Sequence, residues 1–219
     1  ALGRDGVSSN YRFDLAPRTW DFIRNTRSGT AVFTMPSGPI KCAGAPQKIA
    51  YLADDAFRRQ GVRDKTEIIY AAGTPGLFAV ADYAKTLNQV IERKEIDARY
   101  QHVLVELDAA AKKAIFEDRA NDNARVEIAY DMIHVTPPQR APQVVRESPL
   151  AGDGGWLEVD KHTLQSPKFA NVFAIESLLD PEYTNLAAAM KLAQAAFPED
   201  SGKRIVIITD GNQNRGNAF

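Results

Sequence analysis

The sequence of 219 residues holds a single cysteine, Cys42. That excludes an intramolecular disulfide and any cysteine-rich zinc site. Histidine is scarce too: His102, His134 and His162 lie far apart and show no metal-ligand spacing. No apolar run approaches the roughly 20 residues of a membrane span. The opening ALGRDGVSSNYRFDLAPRTW has no apolar stretch of the kind a signal peptide carries, and it reads like the middle of a longer protein. Charge of one sign is also lacking. Lys and Arg total 27 against 28 Asp and Glu, a net charge of -1. That balance leaves no electrostatic footprint for nucleic acid and no polybasic run for an anionic membrane. Internal repeats and low-complexity tracts are absent.

What is present is an ordinary globular composition, 44% hydrophobic and 25% charged. The length allows one large domain or two small ones, enough to bury roughly 70% of the unfolded surface without a metal or disulfide. Residues 1–29 read as a polar loop anchored by Trp20, Phe22 and Ile23. TAVFTM (30–35) and TEIIYAAG (66–73) read as apolar strands. Between them a helix is expected over about 46–60, with Ile49, Leu52, Ala53, Ala56 and Phe57 on one face, Pro46 at its start and Gly61 at its stop. A second helix, about 78–94, carries Val80, Tyr83, Ala84, Leu87, Val90 and Ile91. Strand, helix, strand, helix at this spacing argues for βαβ units and a parallel sheet.

The pattern then changes. HVLVEL (102–107), AIFE (114–117) and RVEIA (125–129) are short runs between charged turns and read as an antiparallel meander. Strands are expected at 131–135, 156–160, 171–175 and 204–209, with a helix at about 182–196. Those at 131–135, 171–175 and 204–209 are expected to form or join a second sheet. NVFAI, helix and RIVIIT form a plausible βαβ crossover.

Cys42 lies in GPIKCAGAPQK, after a strand and just before a helix. Its thiolate is favoured by the positive end of that helix, by Lys41 beside it and by Lys48, about half a turn inside the helix and able to reach back. Gly44 lets a ligand approach the backbone. A free cysteine also packs as a small buried hydrophobe, and the residues alone leave both readings open.

Several segments resemble the sulfide:quinone oxidoreductase family, over about residues 1–175. They are SNYRFDLAPRTW, AVFTMPSGPIKCAGAPQKIAYL, DMIHVTPP, SPLAGDGGWLEVDKHTLQ and NVFAI. The resemblance implies a partial FAD/NAD(P)-binding flavoprotein fold: α/β, a Rossmann-like parallel sheet with an antiparallel meander, ending here in a βαβ-like unit. It implies Cys42 as a sulfur-accepting catalytic residue, with Thr136, Pro137 and Pro138 on the FAD side of a strand end and Trp156 in the following loop. His134 reads as a packed strand residue rather than a base. Sulfide and a quinone are the implied substrates, and peripheral membrane association the implied location.

The chain departs from that pattern. It has no GxGxxG on a strand–helix turn, the usual pyrophosphate cradle. After NVFAI it reads Glu176, Ser177, Leu178, Leu179, and a second cysteine is absent. The family's amphipathic C-terminal membrane and quinone segment is absent as well. The chain is therefore expected to be an incomplete oxidoreductase, able to carry sulfur on Cys42 but not to turn over.

Residues of about 177–219 resemble part of a von Willebrand factor type A domain, through TNLAAAM and IVIITDGNQ. That implies Thr184 and Asp210 as ligands of a divalent cation such as Mg²⁺, in a non-enzymatic binding module. The Asp-x-Ser-x-Ser loop of that site is missing, and two oxygens alone hold Mg²⁺ poorly. Asp210-Gly211 also fits a simple strand-ending turn. The expected organisation is thus two regions, 1–175 and 176–219, joined near Ile175; an inert fusion is the third reading.

Overall fold

The computed structural model describes residues 2–173 apart from 39, 41, 161 and 162. The expected 175/176 boundary, helix 182–196 and strand 204–209 lie outside the described residues. The chain divides into one unit ending at Gln139 and another beginning at Arg140.

The first unit is an α/β fold. Strands β1 (Val7–Ser8), β2 (Gly29–Met35), β3 (Thr66–Ala72), β4 (Asp97–Tyr100) and β8 (Met132–His134) build a parallel sheet in the order β1-β8-β2-β3-β4. Helices α1 (Ala16–Asn25), α2 (Ala45–Arg59) and α3 (Ala81–Arg93) connect the first four strands. Strands β5 (His102–Asp108), β6 (Lys113–Asp118) and β7 (Ala124–Ala129) form the antiparallel meander.

Alternation along β2 explains the layering. Ala31, Phe33 and Met35 face one way and join Ala53 and Phe57 of α2 and Ile91 of α3. Val32 faces the other way and joins Ile133, Ala114, Phe116 and Ile128. Helices therefore cover one face of the sheet and the meander the other. Each fully buried apolar side chain contributes about 1.5–3 kcal/mol of transfer energy, and both faces of these strands are dry.

Four expectations need correcting. Residues 16–25 are helical rather than a loop; Pro17 starts α1, Ile23 and Thr19 are buried, and Trp20 is 52% exposed rather than an anchor. The strand expected at 131–135 does not belong to a second sheet. It pairs in parallel with both β1 and β2, Ile133 lying opposite Val7 and Val32. The inward face of α2 is Pro46, Gln47, Ala50, Ala53, Asp54 and Phe57, whereas Leu52 is 54% exposed. Its polar members are buried because each has partners. The strand expected at 156–160 is only a bridge between Leu157 and Ala151.

Asp54 is the largest such exception. Fully buried, it accepts from Arg58 Nε (3.0 Å), Arg63 Nε (2.8 Å) and Lys94 Nζ (2.6 Å). Burial pushes its carboxyl up, but Lys94, Arg63 and Arg58 together hold it below the usual range. Arg63 Nη2 also donates to the carbonyls of Lys94 and Glu95 at the end of α3. Helix α2 ends in a Schellman turn: Val62 N donates to Phe57 O and Gly61 N to Arg58 O, with Gly61 at φ +68°.

In the second unit, α4 (Gln143–Arg146) is a single turn, and Phe173 bridges Gln165.

Candidate functional site

In a parallel α/β sheet, ligand sites gather beyond the carboxyl ends of the strands. Here the segments beyond β1, β8 and β2 carry Tyr11, Thr136 and Cys42.

The β2–α2 loop is set by its neighbour beyond β3. Gly73 N donates to Met35 O at 2.9 Å. A Cβ on Gly73 would lie 2.6 Å from the backbone nitrogen of Ser37, so only glycine lets the two loops abut. Cys42 then stands three residues before Ala45 of α2, and its carbonyl accepts from Ala45 N at 2.8 Å. Its φ is +91°, left-handed backbone that a residue with a Cβ adopts at a cost. The side chain is exposed. The core-hydrophobe reading of Cys42 is therefore removed, and its sulfur stands open before a 15-residue helix. Lys41, expected to favour the thiolate, lies outside the described residues.

The β1 and β8 ends are tied together. Asn10 N donates to His134 Nε2 at 3.0 Å, and Thr136 N donates to Thr34 Oγ1 at 3.0 Å. His134 is 1% exposed and stacks on Phe33. Burial pushes its imidazole down to about 4, so it is neutral and serves as an acceptor within the sheet. Thr136 is 3% exposed, whereas Pro137 and Pro138 are exposed.

At this edge the buried Ser8 Oγ has no partner, whereas the buried Tyr11 Oη and Thr136 Oγ1 have only each other. An unpaired buried hydroxyl is costly, so Ser8 Oγ marks a place where a polar ligand fits. The Tyr11 phenol is pushed up, first by burial and then by the neighbouring Cys42. A hydrogen bond with the Thr136 hydroxyl opposes the rise. Behind Tyr11 lie further phenols. Tyr70, fully buried and raised by burial, bonds Met35 Sδ at 3.1 Å. Tyr51, pushed up to about 12 by burial, bonds Gln47 Oε1 at 3.3 Å.

Cys42 and Thr136, both candidates from the sequence, lie on segments beyond the carboxyl ends of the neighbouring strands β2 and β8. Tyr11 and Ser8 were missed by sequence reading; the available signal was a run of small polar residues directly after Val7. Trp156 is half-buried in the second unit. Thr184 and Asp210 lie outside the described residues, as does His162. Among the described residues no cluster of three or more His, Cys, Asp or Glu could hold a metal. No described helix is long and apolar enough to cross a membrane.

The fit to FAD is divided. The unpaired hydroxyl of Ser8 suits a polar edge of the cofactor. The β1–α1 turn does not suit its pyrophosphate, because it has no glycine and the Asn10 amide is already bound to His134.

The layered sheet with its inserted meander defines an FAD/NAD(P)-binding flavoprotein-type fold. Sulfide:quinone oxidoreductase from Aquifex aeolicus has it, with a TM-score of 0.65 at 16% identity over 81% of this chain and 43% of that one. The sequence relatives carry the same name. The chain is homologous to mitochondrial sulfide:quinone oxidoreductase of Mus musculus, 39% identical over 184 residues, 84% of this chain and 41% of that protein. With the Dictyostelium discoideum enzyme it is 37% identical over 191 residues, 86% of this chain and 42% of that one. The chain thus spans about two fifths of the length of the curated relatives it matches. No family model matches it.

Proposed function

We propose that this chain is the sulfur-accepting portion of a sulfide:quinone oxidoreductase-like flavoprotein, with Cys42 as its catalytic residue. The observation that carries the reading is the exposed Cys42 side chain in the loop between β2 and α2, at the carboxyl edge of the parallel sheet. Homology to enzymes of that name supports it. FAD, when bound, supplies two-electron acceptance from sulfide and delivery to a quinone; Thr136, Pro137 and Pro138 are the residues that would hold its edge. This chain's own groups expose the thiol, keep an uncharged imidazole in the neighbouring strand and leave the Ser8 hydroxyl free to donate. A peripheral membrane location, where quinones reside, follows from the same reading.

Cys42 accepts sulfur, but no other thiol in the sequence can resolve it. The expected result with added FAD, sulfide and a soluble quinone is therefore sulfur uptake on Cys42 without sustained turnover. Failure of Cys42 to take up sulfur from polysulfide would overturn the assignment. Continued quinone reduction abolished by Cys42→Ser would overturn the claim that the chain cannot cycle.

The sequence of residues 177–219 supports a second reading, a von Willebrand factor type A-like cation-binding segment using Thr184 and Asp210. A Mg²⁺-dependent rise in thermal midpoint, lost in Asp210→Ala, is its expected signature; no rise removes it.

A further inference from the structure

We propose that the cavity between α1 and α2 binds an uncharged ring compound bearing one carbonyl oxygen, with the buried Thr19 hydroxyl as the donor to that oxygen. Cys42 does not line this cavity and takes no part in it.

Two exposed apolar side chains mark the place. Trp20 and Leu52, 52% and 54% exposed, stand on the two neighbouring helices. Both line one cavity of about 440 Å³, with Ile23, Ile49 and Ala56 among its other apolar walls. That size suits a small ligand, since such sites measure about 300–1,000 Å³. The indole of Trp20 offers a planar wall, and an aromatic ring pairs favourably with a second one.

Of the polar lining residues, Thr19 alone is both buried and unpartnered. It is 1% exposed, and its Oγ1 has no hydrogen bond. The others are exposed or bonded. Arg59 Nε pairs with Asp55 Oδ2 at 3.0 Å, and Gln60 Oε1 accepts from Arg27 Nη1 at 3.0 Å. Asn10 lies exposed, its amide donating to His134. A helical threonine can return its hydroxyl to the carbonyl one turn back. Thr26, at the end of the same helix, does so, donating to Phe22 O at 2.8 Å. Thr19 does not, and its hydroxyl is left for a group that enters the cavity.

The lining also selects the chemistry of that group. A hydroxyl has one proton to give, and a carbonyl oxygen accepts it. Asp55 and Arg59, the charged residues of the lining, are paired with each other. A charged ligand would therefore leave water without meeting a free counter-charge, which is costly. The remaining walls reward apolar surface. A neutral ring with a single acceptor satisfies all of these demands.

The test uses the full chain and a neutral naphthyl ketone, propionyl-dimethylaminonaphthalene, whose emission shifts to the blue on burial. The unaltered chain is expected to bind it saturably. Thr19→Val keeps the shape and removes the hydroxyl; it is expected to weaken binding about five-fold, the loss of one neutral hydrogen bond. Its thermal midpoint is expected to stay level or rise, because an unpartnered hydroxyl has left the interior. Ala56→Phe, which fills the cavity, is expected to abolish binding. A second measurement needs no variant. The propyl analogue, with a methylene in place of the carbonyl, and the anionic anilinonaphthalene sulfonate should both displace the ketone less well than the ketone displaces itself. No saturable binding would overturn the site, and binding kept in Ala56→Phe would overturn its location. Equal affinity in Thr19→Val would overturn the role of the hydroxyl; should that variant fail to fold, equal displacement by the propyl analogue would do so. Equal displacement by the sulfonate would overturn the exclusion of charge.

Discussion

Replacing His134 with Gln should remove most of the acid sensitivity of this fold over a defined pH window. His134 sits in the interior strand β8, 1% exposed, with Nε2 accepting the Asn10 amide and Nδ1 unpartnered. Desolvation pushes its imidazole from the ordinary 6.5 to about 4. Above pH 6.5 both the folded and the unfolded imidazole are neutral, and the stabilisation is fully present. As pH falls, the unfolded chain takes up a proton that the folded chain refuses. Stability then drops by about 1.4 kcal/mol per pH unit until the folded group also protonates. The span from 6.5 to about 4 amounts to about 3 kcal/mol. Urea denaturation of the unaltered chain and His134→Gln at half-unit steps from pH 7.5 to 4.5 measures the difference. The variant loses the stacking on Phe33, which adds an offset independent of pH. The other two histidines are common to both chains and cancel. Two parallel curves would refute the reasoning, because they would show that burial of His134 excludes no proton.

Two further outcomes follow from contacts at opposite ends of the sheet. Asp54→Asn leaves Arg58, Arg63 and Lys94 facing a neutral amide, and should cost about 3–5 kcal/mol in chemical denaturation; a cost below about 1 kcal/mol would mean that water screens the cluster. Gly73→Ala places a Cβ against the Ser37 backbone. It should destabilise by about 1–3 kcal/mol and alter the labelling rate of Cys42, and an unchanged rate would show that the two loops are not coupled.

Much of this fold was legible because its signals are local. β2, α2, β3 and the meander each carry their own periodicity, and Gly61 marks the end of α2 as expected. Other features depended on partners remote in sequence. Gln47 and Asp54 look like surface residues of α2. They turn inward only because the Leu77 carbonyl and three distant cations meet them. β4 has no apolar alternation of its own and was passed over. The run at 131–135 shows that it is a strand but not which strands flank it. Cys42 stood out by residue type and loop context. Tyr11 did not, since its hydroxyl is buried only by a fold that brings Thr136, remote in sequence, against it.

The placement of β8 carries a consequence for how the chain acquires its structure. Strand β1 has β8 as its neighbour, and the Asn10–His134 contact closes a loop of 124 residues. Pairings of such long sequence separation form late, because the entropy of closing the loop precedes any reward. During synthesis β2, β3 and β4 can assemble from nearby segments, whereas β1 must wait unpaired until residue 134 has emerged. In that interval Val7 and Val32 lack the strand that finally separates and covers them, a state open to aggregation or chaperone capture. The Tyr11–Cys42 neighbourhood belongs to the same late step. A nascent chain halted before Met132 should contain the cysteine and its helix, yet lack the strand that joins β1 to β2.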